Sequence, residues 1–369
     1  MRWKLSTPLV ALQFSFLAAG IPGREDTHWK ELAPIPLYPR QEHTFVAINR
    51  THLALLGGII PSSDPTNPFP TTGLFQLYSL QTQQWYPAPL PPLPIPLNHP
   101  NAAAVDGKLY LLGGLNDDAG DGVWRGDGRS WVFDFDTLTW SALPSMDEAN
   151  GDIPRGSAAV GVDPETGVVY LAGGMTKLPL VEGQGGQESV DVVSAFDTRQ
   201  GQWVAQSELG EGAKKMPGRR DHAAAAVVDR VLYVLGGRVD GQENVRGEVF
   251  ALNLKGLVGK GKGKGKGKGK GWETKRARMP TPRGGVCGAA VGGKVYVFGG
   301  EGNQEEGSEG VFGHIEAYDT RKDKWEKAGT MRVPRHGTAA VAVGGGIYIP
   351  GGGVKLGGAP VDTFDVFYP

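Results

Sequence analysis

Short apolar runs recur along the chain, each closed by a pair of glycines. Lys108–Gly114 reads KLYLLGG; Val168–Gly174, Val231–Gly237, Lys294–Gly300 and Gly346–Gly352 repeat it, and Leu53–Gly58 is a variant. A tyrosine stands three residues before the first glycine in five of the six copies. Runs of Val, Leu, Ile and Tyr bounded by turn residues predict β-strands. Ahead of each comes an alanine- and valine-rich run that opens near an Arg or His, then a tight polar turn such as Val105-Asp106-Gly107-Lys108 or Val291-Gly292-Gly293-Lys294. After it come a variable loop and an apolar run ending in Asp, as in Phe133–Asp136, Ala195–Asp197 and Ala317–Asp319. A tryptophan closes the unit: Trp85, Trp140, Trp203, Trp272, Trp325. The pattern predicts four strands per unit, here a to d, with the double glycine ending strand b.

The first glycines of the doublets are 57, 113, 173, 236, 299 and 351, so the steps are 56, 60, 63, 63 and 52 residues. A unit of this size with these parts resembles the kelch repeat, a four-stranded propeller blade of roughly 50 residues. The resemblance implies an all-β fold: a six-bladed kelch β-propeller over residues 26–369, with four antiparallel strands per blade set radially around a channel. The chain ends point to how such a ring closes. After the sixth doublet the chain offers one more strand, Thr363–Tyr368, and no tryptophan. The missing part stands at the other end, in His28-Trp29-Lys30-Glu31-Leu32. Trp29 precedes Gly57 by 28 residues, as Trp85 precedes Gly113. The N-terminal strand is therefore expected to complete the C-terminal blade.

Composition changes this picture little. The 58 glycines and 27 prolines follow no fixed period, and turns account for most of them. The single cysteine, Cys287, rules out an intrachain disulfide and reads as a small buried hydrophobe. A net charge of −1 gives no general argument for nucleic acid, and no specific nucleic-acid partner is expected. Residues 1–20 have Arg2 and Lys4, an apolar run from about Leu9 to Ala19, then small residues, which is the layout of a secretory signal. On that reading the protein is secreted, and Asn49-Arg50-Thr51, in the a–b turn of blade one, is a glycosylation sequon at Asn49. Gly259–Gly271 alternates glycine with lysine between strands c and d of blade four and predicts a disordered insert. A low-complexity insert with no selected role is favoured over a weak tether to polyanions or lipid headgroups.

The candidate chemistry lies at the strand a starts: Arg40, His43, His99, Arg155, Arg219, Arg220, His222, Arg283, Arg335 and His336. In kelch domains this end of the blade surrounds one mouth of the channel and contacts ligand, and the resemblance implies the same here. Guanidinium groups around a mouth suit an anionic small molecule, saccharide or protein partner. The same residues could instead cap turn carbonyls and hold blade to blade. His43, His99 and His222 each stand fourteen residues before a first glycine, equivalent positions in three blades. Spread around a ring, they are not expected to converge on one metal ion, so no metal and no cofactor is assigned. The Asp117-Asp118…Asp121…Asp127 loop lacks the ordered spacing of a calcium site and reads as solvated.

Copper enzymes resembling galactose oxidase share this fold, but their tyrosine, histidine and crosslinked cysteine set cannot be placed here, and no other catalytic motif is present. Whether the protein is an enzyme stays open. The first reading is a secreted, monomeric binding propeller. The second is an enzyme or accessory protein of a fungal secondary-metabolite (polyketide) pathway acting in the channel, since the Gly-Lys tract and the C-terminal glycine-rich segment resemble exported fungal kelch proteins of that kind.

Overall fold

In the computed structural model the residues described are 28–146, 152–180, 186–258 and 271–369. The proposed leader and the Gly-Lys tract up to residue 270 lie outside them. The six apolar runs are the second strands of six antiparallel sheets, each built in the order a-b-c-d. Blade one is Thr44–Ala47, His52–Leu56, Phe75–Ser79 and Gln84–Trp85; blade two is Ala102–Val105, Lys108–Asn116, Val123–Asp134 and Thr139–Leu143. Blade three is Ala159–Val162, Val168–Ala172, Val193–Asp197 and Gln202–Trp203; blade four is Ala224–Val228, Val231–Leu235, Val249–Asn253 and Glu273–Thr274. Blade five is Cys287–Val291, Lys294–Phe298, His314–Asp319 and Lys324–Thr330. Blade six joins Val341–Val343, Gly346–Pro350 and Phe364–Phe367 to the N-terminal strand Trp29–Glu31, with Trp29 opposite Phe367 and Glu31 opposite Asp365. The expected closure is therefore present.

The core is not one mass but six, each wedged between two neighbouring blades. Leu232 and Phe250 of blade four pack on Val168 and Tyr170 of blade three, and Phe364 of blade six packs on Phe45 and Tyr78 of blade one. The tryptophans add direction to this packing. Each indole N–H donates to a carbonyl just after the preceding blade: Trp85 to Ala33, Trp140 to Pro91, Trp203 to Pro144, Trp272 to Ala213 and Trp325 to Ala277. Trp29 does the same to Thr330 at 3.0 Å, so it is the sixth member of the set.

The double glycine has a steric reason. At Gly299 φ is +57°, and an added Cβ would stand 2.1 Å from the carbonyl oxygen of Arg335 in the next blade. That carbonyl accepts the N–H of Gly300. Only a residue without a side chain permits both the left-handed turn and the contact.

Two loops depart from expectation. Where a variable loop follows the second and third double glycines the structure has strands: strand c of blade two begins at Val123, and Met175–Pro179 pairs with it, Leu178 opposite Trp124. The apolar residues Val123, Trp124, Met175 and Leu178 inside these polar stretches give the ribbon a face to bury. The loop aspartates carry no vacant cluster: Asp121 is held by Arg125, and Asp118 and Asp127 by Arg129. Cys287 is buried in strand a of blade five, and burial raises its thiol to about 12.

Candidate functional site

Where strand a starts, the chain passes close to the propeller axis. One residue per blade meets its neighbours there: Glu42, His99, Ser157, His222, Gly285 and Gly337. All six have positive φ, from 49° to 62°. Their backbones are stitched blade to blade: Gly337 N–H to Gly285 C=O, Glu42 N–H to Gly337 C=O, His99 N–H to Glu42 C=O, and Ser157 N–H to His99 C=O. His222 N–H donates to the Ser157 hydroxyl. The side chains of this ring are thus aimed at the axis.

The residue before each pairs with the residue just after the double glycine: Gln41 with Ile59, Asn98 with Leu115, Gly156 with Met175, Asp221 with Arg238, Gly284 with Glu301, His336 with Gly353. These pairs form the rim. Blades one to three contribute Ile59, Leu115 and Met175, which cluster with Trp124 and with Phe69 and Leu178 packed against them. Blades four to six contribute Arg238, Glu301 and His336. The mouth therefore has one apolar wall and one ionic wall around a pocket of about 390 Å³. Behind it, separated by the axial ring, the channel between the strands a holds a second space of about 350 Å³.

The ionic wall is a continuous network. His99 Nε2 lies 3.0 Å from His222 Nε2 and 2.9 Å from Glu42 Oε2, and all three ligand-type atoms fall within 4.8 Å of one another. His222 Nδ1 is 2.6 Å from Asp221 Oδ1, and His99 Nδ1 is 2.6 Å from Asn98 Oδ1. Arg238 lies 3.3 Å from Asp221, donates to Glu301, and reaches His222 Nε2 at 3.2 Å. Gln187 and Ser189 donate to Asp221. Burial pushes the Glu42 carboxyl up, but the adjacent His99 and the more distant His222 and His336 outweigh it and hold the group well below the usual carboxylate range. Burial, then the charge of Arg238, lowers His222 against the pull of Asp221. Glu42 therefore stays ionised and His222 is neutral at pH 7.

The ten residues expected at the mouth divide sharply. His99 and His222 are there, whereas His336 is buried beside Glu301, with Nδ1 3.3 Å from that carboxylate and Nε2 2.7 Å from Lys355 C=O. Arg40, Arg155, Arg220, Arg283 and Arg335 are buried inside their blades and do not line it. Each guanidinium turns away from the mouth toward its own blade. Arg283 binds Gly299 C=O, Thr281 C=O and Glu316; Arg335 binds Ile349 C=O and Asp365; Arg155 binds Gly173 C=O and Ser194; Arg40 binds Gly57 C=O and Gln76. Arg220 pairs with Glu248 and lies over the Phe250 ring. In blade two Leu97 takes the arginine's place and packs in the core. The arginines are internal locks, the alternative that the sequence left open. Arg219 is half exposed and pairs with Asp240.

His43 is also displaced. Burial and Arg40 lower its pKa to about 3, and it sits behind the axial ring, 3.4 Å from the Thr338 hydroxyl. Glu42, not His43, is the structural equivalent of His99 and His222, because blade one carries one more residue between the axis and its doublet. The three histidines do not converge, because His43 lies behind the axial ring, but two of them do meet: so near the axis, His99 of blade two and His222 of blade four touch. Of the residues that sequence reasoning passed over, Glu42, Asp221, Arg238 and Glu301, the last two had a signal. Reading the residue after every double glycine down the repeats gives Ile, Leu, Met, Arg, Glu, Gly.

Comparison with known proteins bears on the repeats. The family model described as the KLHDC2/KLHL20/DRC7 Kelch-repeats domain matches residues 169–367, and the Kelch motif matches 96–147. Kelch-like protein terF of Aspergillus terreus is 35% identical over 353 residues, 95% of this chain and 69% of its own length. The N-(sulfonatooxy)prop-2-enimidothioate sulfolyase of Thlaspi arvense is 28% identical over 285 residues, 71% of this chain and 72% of its own. The solved structure of YjhT superposes with a TM-score of 0.67 at 17% identity, covering 90% of this chain and 95% of that one.

Proposed function

The chain belongs to the kelch-repeat family, and from that premise we propose that it is a binding propeller whose ligand is an amphipathic small molecule held in the mouth pocket. The observation that carries this is the two-sided mouth: Trp124, Ile59 and Phe69 on one wall, Arg238, Gln187 and Glu301 on the other. A concave pocket of this size, with an apolar wall facing convergent polar groups, suits a small molecule that has both an apolar and a polar side. The burial of the five arginines weighs against a purely anionic ligand, because the one arginine of the ionic wall, Arg238, already faces two carboxylates. Kelch propellers generally mediate contacts with other proteins, and a protein partner that inserts a single side chain into this pocket would use the same walls.

A melting screen with small aromatic acids and sugar acids tests the proposal. A ligand at a hundredfold excess over its dissociation constant adds about 2.7 kcal/mol to the folded state. The shift is expected to vanish in Trp124→Ala. A shift that survives Trp124→Ala and Phe69→Ala places the ligand elsewhere and removes the proposal.

The second reading, an enzyme or accessory protein of a fungal secondary-metabolite pathway, draws on the similarity to Kelch-like protein terF over almost the whole chain. The sulfolyase name of the Thlaspi arvense relative adds a catalytic precedent among similar proteins. Turnover of a compound found in the screen would favour it over simple binding.

Export is part of the first reading. Asn49 is exposed, in the turn where its side chain accepts from Thr51 and His52. Protein collected from a secreting host is expected to begin near Ile21 and to lose mass on glycosidase treatment. A full-length, unshifted product would contradict export.

A further inference from the structure

We infer that Glu42, His99 and His222 form a binding site for one divalent first-row transition-metal ion. This rests on the mouth being the functional site and supplies its missing chemistry. Three observations lead there. The first is hydrogen bookkeeping. Asn98 Nδ2 donates to Thr71 Oγ1, which turns Asn98 Oδ1 toward His99 Nδ1. Asp221 presents a carboxylate oxygen to His222 Nδ1. Both Nδ1 atoms therefore carry a hydrogen, and in the neutral rings both Nε2 atoms present lone pairs. Those lone pairs face each other at 3.0 Å, with Glu42 Oε2 2.9 Å from one and 3.8 Å from the other. Three such atoms aimed at one point are held together either by a hydrogen on one of them or by a cation between them.

The spacing fits an ion. Ligands ~2.1 Å from a metal in adjacent positions lie ~3.0 to 3.4 Å apart. Two of the three separations are close to that range, and the third closes with a small turn of the Glu42 carboxylate. Each imidazole also has an outer partner on its other nitrogen, the arrangement that orients metal-bound histidines.

The second observation is charge. Glu42, Asp221 and Glu301 surround this point with a single guanidinium, that of Arg238, and His336 beside Glu301. Two uncompensated negative charges in a nearly closed space are costly, and a dication cancels them. Arg238, which reaches His222 Nε2 at 3.2 Å, is tied to Asp221 and Glu301 and can yield that contact to the ion without leaving its carboxylates.

The third is the backbone. Glu42, His99 and His222 hold φ of 54°, 49° and 51°, where side chains are disfavoured, while two of the other three axial positions are glycine. The ring geometry suits glycine, so the imidazoles and carboxylate are retained for what they bind. Two imidazoles and one carboxylate, with the pocket on one side and the channel on the other, leave coordination positions open, a set suited to Fe²⁺ or Zn²⁺.

Titrating Co²⁺ into the tagless, chelator-treated full chain tests this without any variant. One equivalent should bind with ligand-field absorption bands of nitrogen and oxygen coordination, and Zn²⁺ should displace it. His99→Ala and His222→Ala should lose the bands and the bound ion, with the fold checked by circular dichroism. Asn98→Leu should weaken binding about 10- to 100-fold. Absence of bands with no ion retained after desalting would mean that a proton fills the space, and would overturn the inference. So would an ion retained equally by both histidine variants. Melting shifts by organic ligands, measured in chelator, keep the two ideas apart: a shift without ion binding leaves only the mouth pocket, and ion binding without any shift leaves only the metal site.

Discussion

Arg283→Leu is expected to destabilise the protein by about 3–5 kcal/mol, although the residue touches no solvent and no ligand. Its guanidinium is paired with Glu316 inside blade five and donates to the carbonyls of Gly299 and Thr281. Removing it leaves a buried carboxylate with no opposite charge, and breaking such a pair from one side costs that much. The carbonyl oxygens lose their donor as well. Replacing both partners is a different experiment. Arg283→Leu with Glu316→Met removes the orphaned charge, and buried pairs replaced by apolar residues are often neutral or better. Blade two already shows the apolar solution: Leu97 stands where the other blades carry arginine, and Trp131 faces strand b at the position that Glu316 holds in blade five. Urea unfolding of the single and double variants should show a large loss and a substantial recovery. Equal losses would mean that the arginine's backbone contacts, not the ion pair, dominate.

Trp29→Ala is the second large effect, expected to cost about 3–5 kcal/mol. Its ring packs between Phe298 of blade five and Phe367 of blade six, and its indole N–H reaches Thr330 C=O. These contacts bridge the two ends of the chain, so the loss should appear in the global transition rather than in local fraying. Removing the residues before Ala33 should do more, because it opens blade six on its outer edge. Thermal unfolding followed by both near- and far-ultraviolet circular dichroism would check this. A truncated chain with an unchanged transition would contradict closure by the N-terminal strand.

The fold was legible because each blade repeats a steric requirement. A glycine pair has to stand where the next blade's carbonyl approaches, and a tryptophan has to reach back to the previous blade. Both leave marks at fixed spacing, and Trp29 could be placed from spacing alone. The site was only half legible. Histidines at strand starts were visible, and two of them, His99 and His222, line the mouth. The arginines misled because the same position serves two purposes: a long cationic side chain beside strand b can turn toward the axis or back into its blade. The acidic or amide partners that decide this, Gln76, Glu316 and Asp365, lie on strand c, far along the chain. Glu42 was missed for a narrower reason. One extra residue in blade one shifts the count, so alignment by glycines placed His43 where the backbone places Glu42. The ribbon that brings Trp124 over the mouth was hidden in an Asp- and Gly-rich stretch whose apolar residues are few.

On the proposed reading, function resides at the mouth, between the Trp124 wall and the Glu42–His99–His222 ring. The most direct test is a crystal structure of the full chain equilibrated with whichever compound gives the largest melting shift. Density for that compound is expected between Trp124 and Arg238, against the axial ring. Density on the outer blade surfaces, with the mouth filled only by water, would contradict it.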